Sequence, residues 1–289
     1  MMKECQKTIA MVNDLSGYGR CSLTVAMPIV SAMGIQCCPV PTSILSNHTG
    51  FPVWFFDDYT DKMERYLEKW RELDLRFDGI ATGFLGSQQQ IQIVSHMIKN
   101  FRKNGTKVLV DPIMGDHGKP YSTYTPGMCR EMEMLVKLAD VVTPNVTEAC
   151  ILTGKEYRKE GWKQKELEEM AYEIQKMGPS SVVITGVPSE KSLTNVVLEP
   201  ERGIVFQCGR RAGNDRPGTG DVFSSVVAGS MVLGWELSEG VELGAEFVKK
   251  CIQKSDELDI PVKNGVCFEL LLPELIMRCK KGAKGAFHS

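Results

Sequence analysis

The sequence predicts an α/β protein in which helices cover both faces of a mostly parallel sheet. Short apolar runs, such as residues 8–12 and 181–185, alternate with longer amphipathic stretches, such as residues 167–177. Runs of four to eight apolar residues are typical of buried strands, and spacings of three and four residues are typical of helices. Strands separated by helices join into right-handed βαβ units. Neither a linker nor an internal repeat divides residues 1–289, so we expect one domain.

The first half of the chain is predicted to alternate regularly between strands and helices. One helix ends at Gly34 and another starts after Gly86, because glycine favours helix boundaries. The charged helix pairs Asp58 with Lys62 at a favourable spacing of four residues. The predicted strands are 8–12, 35–45, 77–83 and 106–111, and the predicted helices are 22–33, 57–73 and the segment that follows Gly86.

The second half repeats the alternation and adds a hairpin. A helical face formed by residues between 128 and 139 precedes a strand at 140–143, and a second helical face ends at Gly178. Two apolar runs flank the turn 201–203, which indicates a small β-hairpin. The hairpin strands are 195–198 and 204–208, and the last predicted helices are 221–233 and 238–255.

Composition gives no reason to expect a nucleic-acid or membrane partner. The chain has 34 Lys and Arg against 36 Asp and Glu residues, a formal net charge of −2. Its apolar stretches fall short of the roughly 18 residues that a membrane-spanning helix needs. The amino-terminal apolar run, residues 9–12, is too short for a signal peptide. We therefore expect a cytoplasmic protein.

The ten cysteines are predicted to be reduced and buried. They show no CxxC spacing and no nearby histidine pair, so a zinc site lacks support. Several lie in apolar stretches, as Cys150 does, where a thiol behaves as a small hydrophobic group. The cysteines stand at positions 5, 21, 37, 38, 129, 150, 208, 251, 267 and 279.

The segment 216–221, Arg-Pro-Gly-Thr-Gly-Asp, is the sharpest candidate for chemistry. Two glycines leave its backbone open, and the following helix directs N–H groups toward the loop, which suits a phosphate. Asp221 beside such a phosphate suits a base that takes a proton from an attacking hydroxyl. A glycine turn with Asp221 as the helix N-cap is the structural alternative. The sequence has no P-loop, and residues 17–22 lack the third glycine of a dinucleotide motif.

Gly218-Thr219-Gly220-Asp221, at the start of a helix of small residues, resembles the carboxy-terminal signature of the ribokinase-like kinases. Further segments, in the same order as in the family, are similar to the vitamin B6 kinase branch. The ordered set is more specific than any one segment. These segments are 46–50 (SNHTG), 82–87 (TGFLGS), 111–116 (DPIMGD) and 143–148 (TPNVTE). The resemblance covers roughly residues 8–235. It implies a three-layer α/β/α fold with a central, mostly parallel sheet and a small β-hairpin.

The resemblance implies catalytic and nucleotide-binding roles for particular residues. Asp221 would deprotonate a primary alcohol, and the backbone N–H groups of Gly218, Thr219 and Gly220 would hold the transferred phosphoryl group. The implied ATP-binding residues are Asp111, Asp116, Thr143, Asn145, Glu148, Thr185 and Thr219. Glu148 and Asp111 would contact Mg²⁺ through water.

Structural alternatives remain for four of these positions. Asn145 and Glu148 have the spacing of a helix capping box. Asp116 could serve a turn around Gly115, and Thr185 could simply end a strand. The resemblance also implies use of a monovalent cation such as K⁺ and assembly as a homodimer.

The substrate side shows features of two kinase branches. The implied substrate-binding residues are Asp14, Ser16, Asn47, Thr49, Phe84 and Asp221. Phe84 could equally belong to the core, and His48 suits a structural role better than a catalytic one. Asp14 within Asp-Leu-Ser-Gly is similar to hydroxymethylpyrimidine kinases, whereas residues 46–50 and Asp221 are similar to pyridoxal kinases. Hydroxymethylpyrimidine kinases generally have cysteine at the position of Asp221.

We therefore expect ATP-dependent phosphorylation of the 5′-hydroxymethyl group of pyridoxal, and also of pyridoxamine or pyridoxine. The enzymatic alternative is a hydroxymethylpyrimidine or phosphomethylpyrimidine kinase of thiamine biosynthesis. A sugar or nucleoside kinase fits less well, because those enzymes generally lack the segment 46–50. A noncatalytic protein that binds a B6 vitamer is the alternative of another class. It would not need Asp221, Glu148 and the glycine loop together.

Overall fold

The computed structural model describes residues 6–285, which contain eleven strands and nine α-helices. The strands are β1 (Thr8–Tyr18), β2 (Gln36–Asn47), β3 (Phe56–Asp58), β4 (Gly79–Thr82), β5 (Lys107–Val110), β6 (Gly115–Asp116), β7 (Lys119–Pro120), β8 (Val141–Val142), β9 (Ser181–Pro188), β10 (Ser192–Glu199) and β11 (Gly203–Arg210). The helices are α1 (Leu23–Ala32), α2 (Thr60–Glu72), α3 (Gln88–Phe101), α4 (Pro126–Val136), α5 (Val146–Thr153), α6 (Gln164–Gln175), α7 (Thr219–Val232), α8 (Leu237–Glu257) and α9 (Leu272–Gly285).

Nine strands form one sheet in the order β11-β10-β9-β8-β5-β4-β1-β2-β3. The six strands from β9 to β2 run parallel. Strand β3 pairs antiparallel with β2, and the hairpin β10–β11 adds two antiparallel strands beside β9. Strands β6 and β7 form a separate two-stranded hairpin. The predicted α/β class, with a mostly parallel sheet and a small hairpin, is confirmed.

Helices bury both faces of the sheet, as the continuous apolar strands predicted. In β1, Ile9 and Met11 pack on one face with residues of α1, α7 and α8, whereas Ala10 and Val12 pack on the other with α2 to α6. Successive strand side chains point to opposite faces, so both sets of this strand are buried. Among the helices within residues 6–285, none combines the length and apolar character needed to cross a lipid bilayer.

The charged helix starts later than predicted. Helix α2 begins at Thr60 rather than at residue 57, because residues 56–58 pair with β2 as the edge strand β3. Asp58 accepts a hydrogen bond from the Thr60 backbone N–H at 2.9 Å, so it serves the helix start. Lys62 consequently contacts Asp57, at 3.7 Å, instead of the predicted Asp58.

Several elements have no counterpart in the prediction. The hairpin β6–β7 has two residues per strand, and strands this short show no hydrophobic period from which they could be predicted. Helix α9 and edge strand β3 were also missed, and β1 continues beyond the predicted Val12 to Tyr18. The extension matters for the site, because it pairs Tyr18 with Asn47 and brings two polar loops together.

The described cysteines are all free thiols, as predicted, but not all are buried. Cys150 is buried, whereas Cys37, Cys38 and Cys129 are half-buried and Cys208 is exposed. Cys5 lies outside the described residues.

Candidate active site

Polar residues gather where neighbouring parallel strands end. The Gly83 backbone N–H donates to the Val12 carbonyl at 2.7 Å, which aligns the end of β4 with the middle of β1. Asp111 N–H donates to the Thr82 carbonyl at 3.2 Å, and Thr143 N–H to the Val110 carbonyl at 3.1 Å. Ligands of open parallel sheets bind beyond these carboxyl ends. The carboxyl ends of β4, β5 and β8 and the adjoining middle of β1 therefore form the floor of the candidate site.

The glycine loop opens directly onto the start of α7. Gly218 is the N-cap, with a left-handed φ of 78°, and a Cβ there would lie 2.0 Å from the Arg20 carbonyl oxygen. Asp221 is the third helical residue, so the alternative that it caps the helix is wrong. The first backbone N–H groups of a helix lack acceptors within it and favour an anion. Thr219 and Gly220 contribute two of these N–H groups.

Asp221 is held by a side chain of β1. The Asn13 side-chain amide donates to its Oδ1 at 3.1 Å. Burial raises the pKa of Asp221 to about 6, and the neighbouring Asp14 charge adds to the rise, while the Ser22 backbone and Asn13 oppose it. A carboxyl with this pKa is ionised near neutral pH and can still accept a proton.

Asp14 lies in a pocket of hydroxyl groups. It is 6% exposed, and it accepts hydrogen bonds from Ser16 Oγ at 2.8 Å and Ser22 Oγ at 2.5 Å. Burial raises its pKa, and these hydroxyls partly offset the effect. The structure therefore brings Asp14 and Ser16 together beside Asp221.

Asp111 and Glu148 form the other half of the site. Burial raises the pKa of Asp111 to about 8, with a further contribution from Asp221, and burial beside Asp111 raises the pKa of Glu148. Glu148 accepts backbone N–H groups from Met114 at 3.1 Å and Asn145 at 2.8 Å. Asn145 Oδ1 accepts the Glu148 N–H at 3.0 Å, so the predicted capping box is present.

Asp14, Asp221, Asp111 and Glu148 form a row in which each acid raises the pKa of its neighbour. Within residues 6–285, none of the four forms an ion pair with Lys, Arg or His. The Thr82 hydroxyl is buried at the same strand ends without a hydrogen-bond partner among residues 6–285, and the side chains of Thr143 and Ser224 face Asp111. Carboxyls without an ion-pair partner and a free Thr82 hydroxyl fit a hydrated Mg²⁺, which keeps several waters. The described side chains form no preformed cluster of three or more metal ligands.

The remaining predicted nucleotide residues occupy the rim of this half. Asp116 is exposed in the β6–β7 hairpin and accepts the His117 N–H at 2.7 Å, which matches the turn alternative. Asn145 donates to the Gly115 carbonyl at 2.9 Å and fastens the hairpin to α5. Thr185 N–H donates to the Pro144 carbonyl at 2.8 Å, beside Asn145. Asn145 thus lies next to both Glu148 and Thr185.

The predicted substrate residues divide between two loops. Phe84 is half-buried after β4, with its ring 6.5 Å from that of Tyr124, and it packs against the core as the alternative required. Asn47 donates to the Val53 carbonyl at 2.8 Å within its own loop, and Thr49 is exposed. His48 Nδ1 accepts the Gly50 N–H at 3.1 Å, so Nε2 faces the Lys263 carbonyl at 2.8 Å as a donor. His48 therefore joins two loops, in line with the structural role expected of it.

Two residues with clear roles in the site were not predicted. Asn13 follows the apolar run of β1 directly, so its position at a strand end was the available signal. Arg216 precedes the glycine loop, and its guanidinium is buried, with bonds to Asp256 at 2.7 Å and to the Ile260 carbonyl at 2.9 Å. Its partners lie more than 35 residues away, so no local pattern indicated them.

The loop 19–22 packs against the start of α7 in an unusual backbone conformation. Gly19, Arg20 and Ser22 have φ values of 110°, 49° and 56°. Left-handed conformations of non-glycine residues cost energy and persist only where surrounding contacts impose them. The contacts are the close approach of Gly218 to Arg20 and the Ser22 hydroxyl bond to Asp14.

Comparison with known proteins identifies the family. The family model for phosphomethylpyrimidine kinase matches residues 29–265. A protein of Bacteroides thetaiotaomicron, provisionally described as a phosphomethylpyrimidine kinase and crystallised with pyridoxal, is 37% identical. Its structure matches with a TM-score of 0.90 over 94% of this chain and 96% of that chain.

Two further proteins extend the comparison. Pyridoxal kinase from Lactobacillus plantarum is 26% identical, with a TM-score of 0.87 over 94% of this chain and 98% of that one. A chloroplastic bifunctional thiamine biosynthetic enzyme of Arabidopsis thaliana is 22% identical, and the chain spans 49% of its length. The structural matches confirm the ribokinase-like fold. With a family model that covers most of its sequence, the chain belongs to the phosphomethylpyrimidine kinase family.

Proposed function

We propose that the protein is an ATP-dependent kinase that phosphorylates the 5′-hydroxymethyl group of pyridoxal, and also of pyridoxamine or pyridoxine. The observation that carries the proposal is the position of Asp221, in the first turn of α7 and directly after a glycine loop with open N–H groups. The pyridoxal-containing crystal of the 37% identical Bacteroides protein supports the choice of substrate. An acid at position 221, rather than a cysteine, also favours a pyridoxal kinase.

In the proposed reaction, the alcohol oxygen attacks the γ-phosphorus of ATP while Asp221 accepts the hydroxyl proton. A new O–P bond forms, the bond between the γ-phosphorus and the bridging oxygen breaks, and ADP leaves. The N–H groups of Gly218, Thr219 and Gly220 would stabilise charge on the transferred phosphoryl group. Asp111, Asp116, Thr143, Asn145, Glu148 and Thr185 would form the nucleotide side of the site.

The proposed divalent site involves Asp111 and Glu148. Each carboxyl lies near another acid, Asp111 near Asp221 and Glu148 near Asp111. Three hydrogen bonds with residues 114 and 145 fix Glu148 in place. Mg²⁺ bound there through water would reduce the negative charge of the phosphates. Dependence on K⁺ and assembly as a homodimer remain proposals, which assays in K⁺ against Na⁺ and sedimentation equilibrium would test.

A hydroxymethylpyrimidine kinase is the second candidate. The family match and Asp14 within Asp-Leu-Ser-Gly favour it. A coupled ATPase assay across pyridoxal, pyridoxamine, pyridoxine and hydroxymethylpyrimidine separates the two. A higher kcat/KM for pyridoxal than for the pyrimidine is expected, and the reverse order would overturn the substrate choice. Tight pyridoxal binding without ATP consumption would favour the noncatalytic alternative.

The role of Asp221 has its own test. Asp221→Ala should abolish turnover and leave ATP binding largely intact, because the substitution removes the base and retains the glycine loop. Asp215→Ala is the matched control, since Asp215 is an exposed acid of the preceding segment that pairs with Arg211 at 2.8 Å. Wild-type turnover by Asp221→Ala would remove the base from the proposal.

A further inference from the structure

We propose that Asn13 is a positioning residue that fixes the Asp221 carboxylate relative to the Phe84 loop. The inference rests on the proposed function for the role of Asp221. Asn13 is 5% exposed and lies in β1. No family motif quoted above includes it, and its side chain contacts its neighbour Asp14 and two distant segments of the chain.

The hydrogen bonds of Asn13 define which way its amide faces. Oδ1 accepts the Phe84 backbone N–H at 2.9 Å and the Asp14 backbone N–H at 3.0 Å. Nδ2 donates to Asp221 Oδ1 at 3.1 Å. A flipped amide would set its NH₂ group against two N–H donors and its oxygen against a carboxylate, so only one orientation satisfies all three contacts.

This arrangement links the base to the substrate side of the site. The Phe84 backbone belongs to the loop after β4, and Asp221 belongs to α7, 208 residues from Asn13. One planar group bonded to both segments sets their separation. An NH₂ donor also favours the ionised carboxylate, whereas the neighbouring Asp14 and Asp111 disfavour it. Cys21 and Tyr121 are the other titratable groups that interact with Asp221.

The backbone at Gly83 packs closely against the Asn13 side chain. A Cβ at Gly83 would lie 2.4 Å from Asn13 Nδ2 and 2.8 Å from Oδ1. Ordinary Cβ contacts begin at about 3.4 Å, so any larger residue at position 83 must displace the amide. Gly83→Ala therefore perturbs the same contact while it keeps Asn13 itself.

Asn13→Asp is the sharpest test because it is nearly isosteric. One aspartate oxygen still accepts both backbone N–H groups, and the other meets Asp221 Oδ1 across the same gap. Two close carboxylates retain a proton between them. We expect kcat for pyridoxal at pH 7 to fall about a hundredfold, with KM for ATP within about twofold of wild type. In the pH profile of kcat, the fall in rate on the acidic side (the acid limb) should shift to higher pH by about one pH unit or more.

Asn13→Ala and Gly83→Ala should lower kcat about tenfold to a hundredfold, with a smaller effect on KM. Thr42→Val is the matched comparison, because Thr42 Oγ1 donates to the Phe84 carbonyl at 3.1 Å and, within residues 6–285, forms no hydrogen bond with Asp221. It should change KM for pyridoxal and leave the acid limb in place. Wild-type kcat and an unmoved acid limb in Asn13→Asp would overturn the inference.

A measurement without substrate separates this inference from the proposed function. Carbon-detected NMR of Asp221 follows its titration in the free protein, and the midpoint should rise in Asn13→Ala because a donor to the charged form is lost. An unchanged midpoint in a folded Asn13→Ala protein would overturn the positioning role. If wild type phosphorylates none of the four substrates, the proposed function fails, and the NMR result still stands by itself.

Discussion

Replacing Gly218 by alanine is expected to damage stability and catalysis together. Gly218 has a φ of 78°, and a Cβ added there would lie 2.0 Å from the Arg20 carbonyl oxygen and 3.1 Å from its carbonyl carbon. Both atoms belong to the backbone, so neither can move aside by changing rotamer. The loop 19–22 and the start of α7 must therefore separate.

The magnitude follows from two contributions. A left-handed alanine costs about 1–2 kcal/mol relative to glycine. Relief of an overlap with backbone costs about 1–3 kcal/mol more. The free energy of unfolding should therefore fall by about 2–5 kcal/mol. Displacement of the N–H groups at residues 218–220 should lower kcat by about a hundredfold to a thousandfold.

Gly220→Ala is the matched stability control. Its φ is not left-handed, and a Cβ at this second residue of α7 would meet nothing within 4 Å. Alanine there should leave stability unchanged or raise it by up to about 1 kcal/mol, because it favours helix. Urea unfolding of both variants and coupled kinetics of Gly218→Ala provide the measurements. Equal unfolding free energies for the two variants would refute the close-packing argument.

Three further perturbations are predicted. Glu148→Gln leaves one of two backbone N–H groups without its acceptor, so urea unfolding should show a loss of about 1–3 kcal/mol. The Mg²⁺ concentration for half-maximal rate should also rise. Glu166→Gln is the control, because Glu166 accepts one backbone N–H, that of Lys163, at the exposed start of α6, and it should produce neither effect. Arg216→Lys removes the guanidinium group, which bonds to Asp256 and to two backbone carbonyls. Calorimetry or urea unfolding should show that the free energy of unfolding falls by about 2–3 kcal/mol. Unchanged stability would contradict that estimate. Because the folded-state pKa of Asp221 is raised to about 6, ionisation of Asp221 lowers the free energy of unfolding as pH rises from about 4 to about 6. Asp221→Asn should therefore be more stable than wild type by about 1 kcal/mol at pH 7.5 and equally stable at pH 4. The same pKa predicts that wild-type kcat falls below about pH 6, and a flat profile from pH 5 to 8 would argue against Asp221 as the base.

The sequence was informative where hydrophobic periods are long. The buried strand at residue 8, the helices around residues 88–101 and 164–175 and the hairpin around residue 203 all lie where predicted. It was uninformative where an element is two or three residues long, as in β6, β7 and β3, because a period cannot be read from so few residues. The late start of α2 has the same origin, since Asp57 and Asp58, which were predicted to be helical, belong to the short strand β3.

The candidate site shows the same division. The glycine loop with Asp221 and the capping box of Asn145 and Glu148 are local, so adjacent letters in the sequence were enough to predict them. The roles of Asn13 and Arg216 depend on partners that are distant in the chain, and no local spacing indicates such partners. Thr49 and Asp116, which were carried by resemblance, lie exposed on the rim.

The amino-acid sequence by itself determined the chemical groups and the ends of strands and helices at which they stand. Apolar periods, glycines and capping residues act over a few neighbours, so their effects can be read from one stretch of chain. Only the tertiary structure decided that four acids lie close together without an ion pair among residues 6–285, and that one amide faces Asp221 and Phe84 at once. Those properties arise from burial and charge between segments up to 208 residues apart, which only the packing of the sheet and its helices brings together.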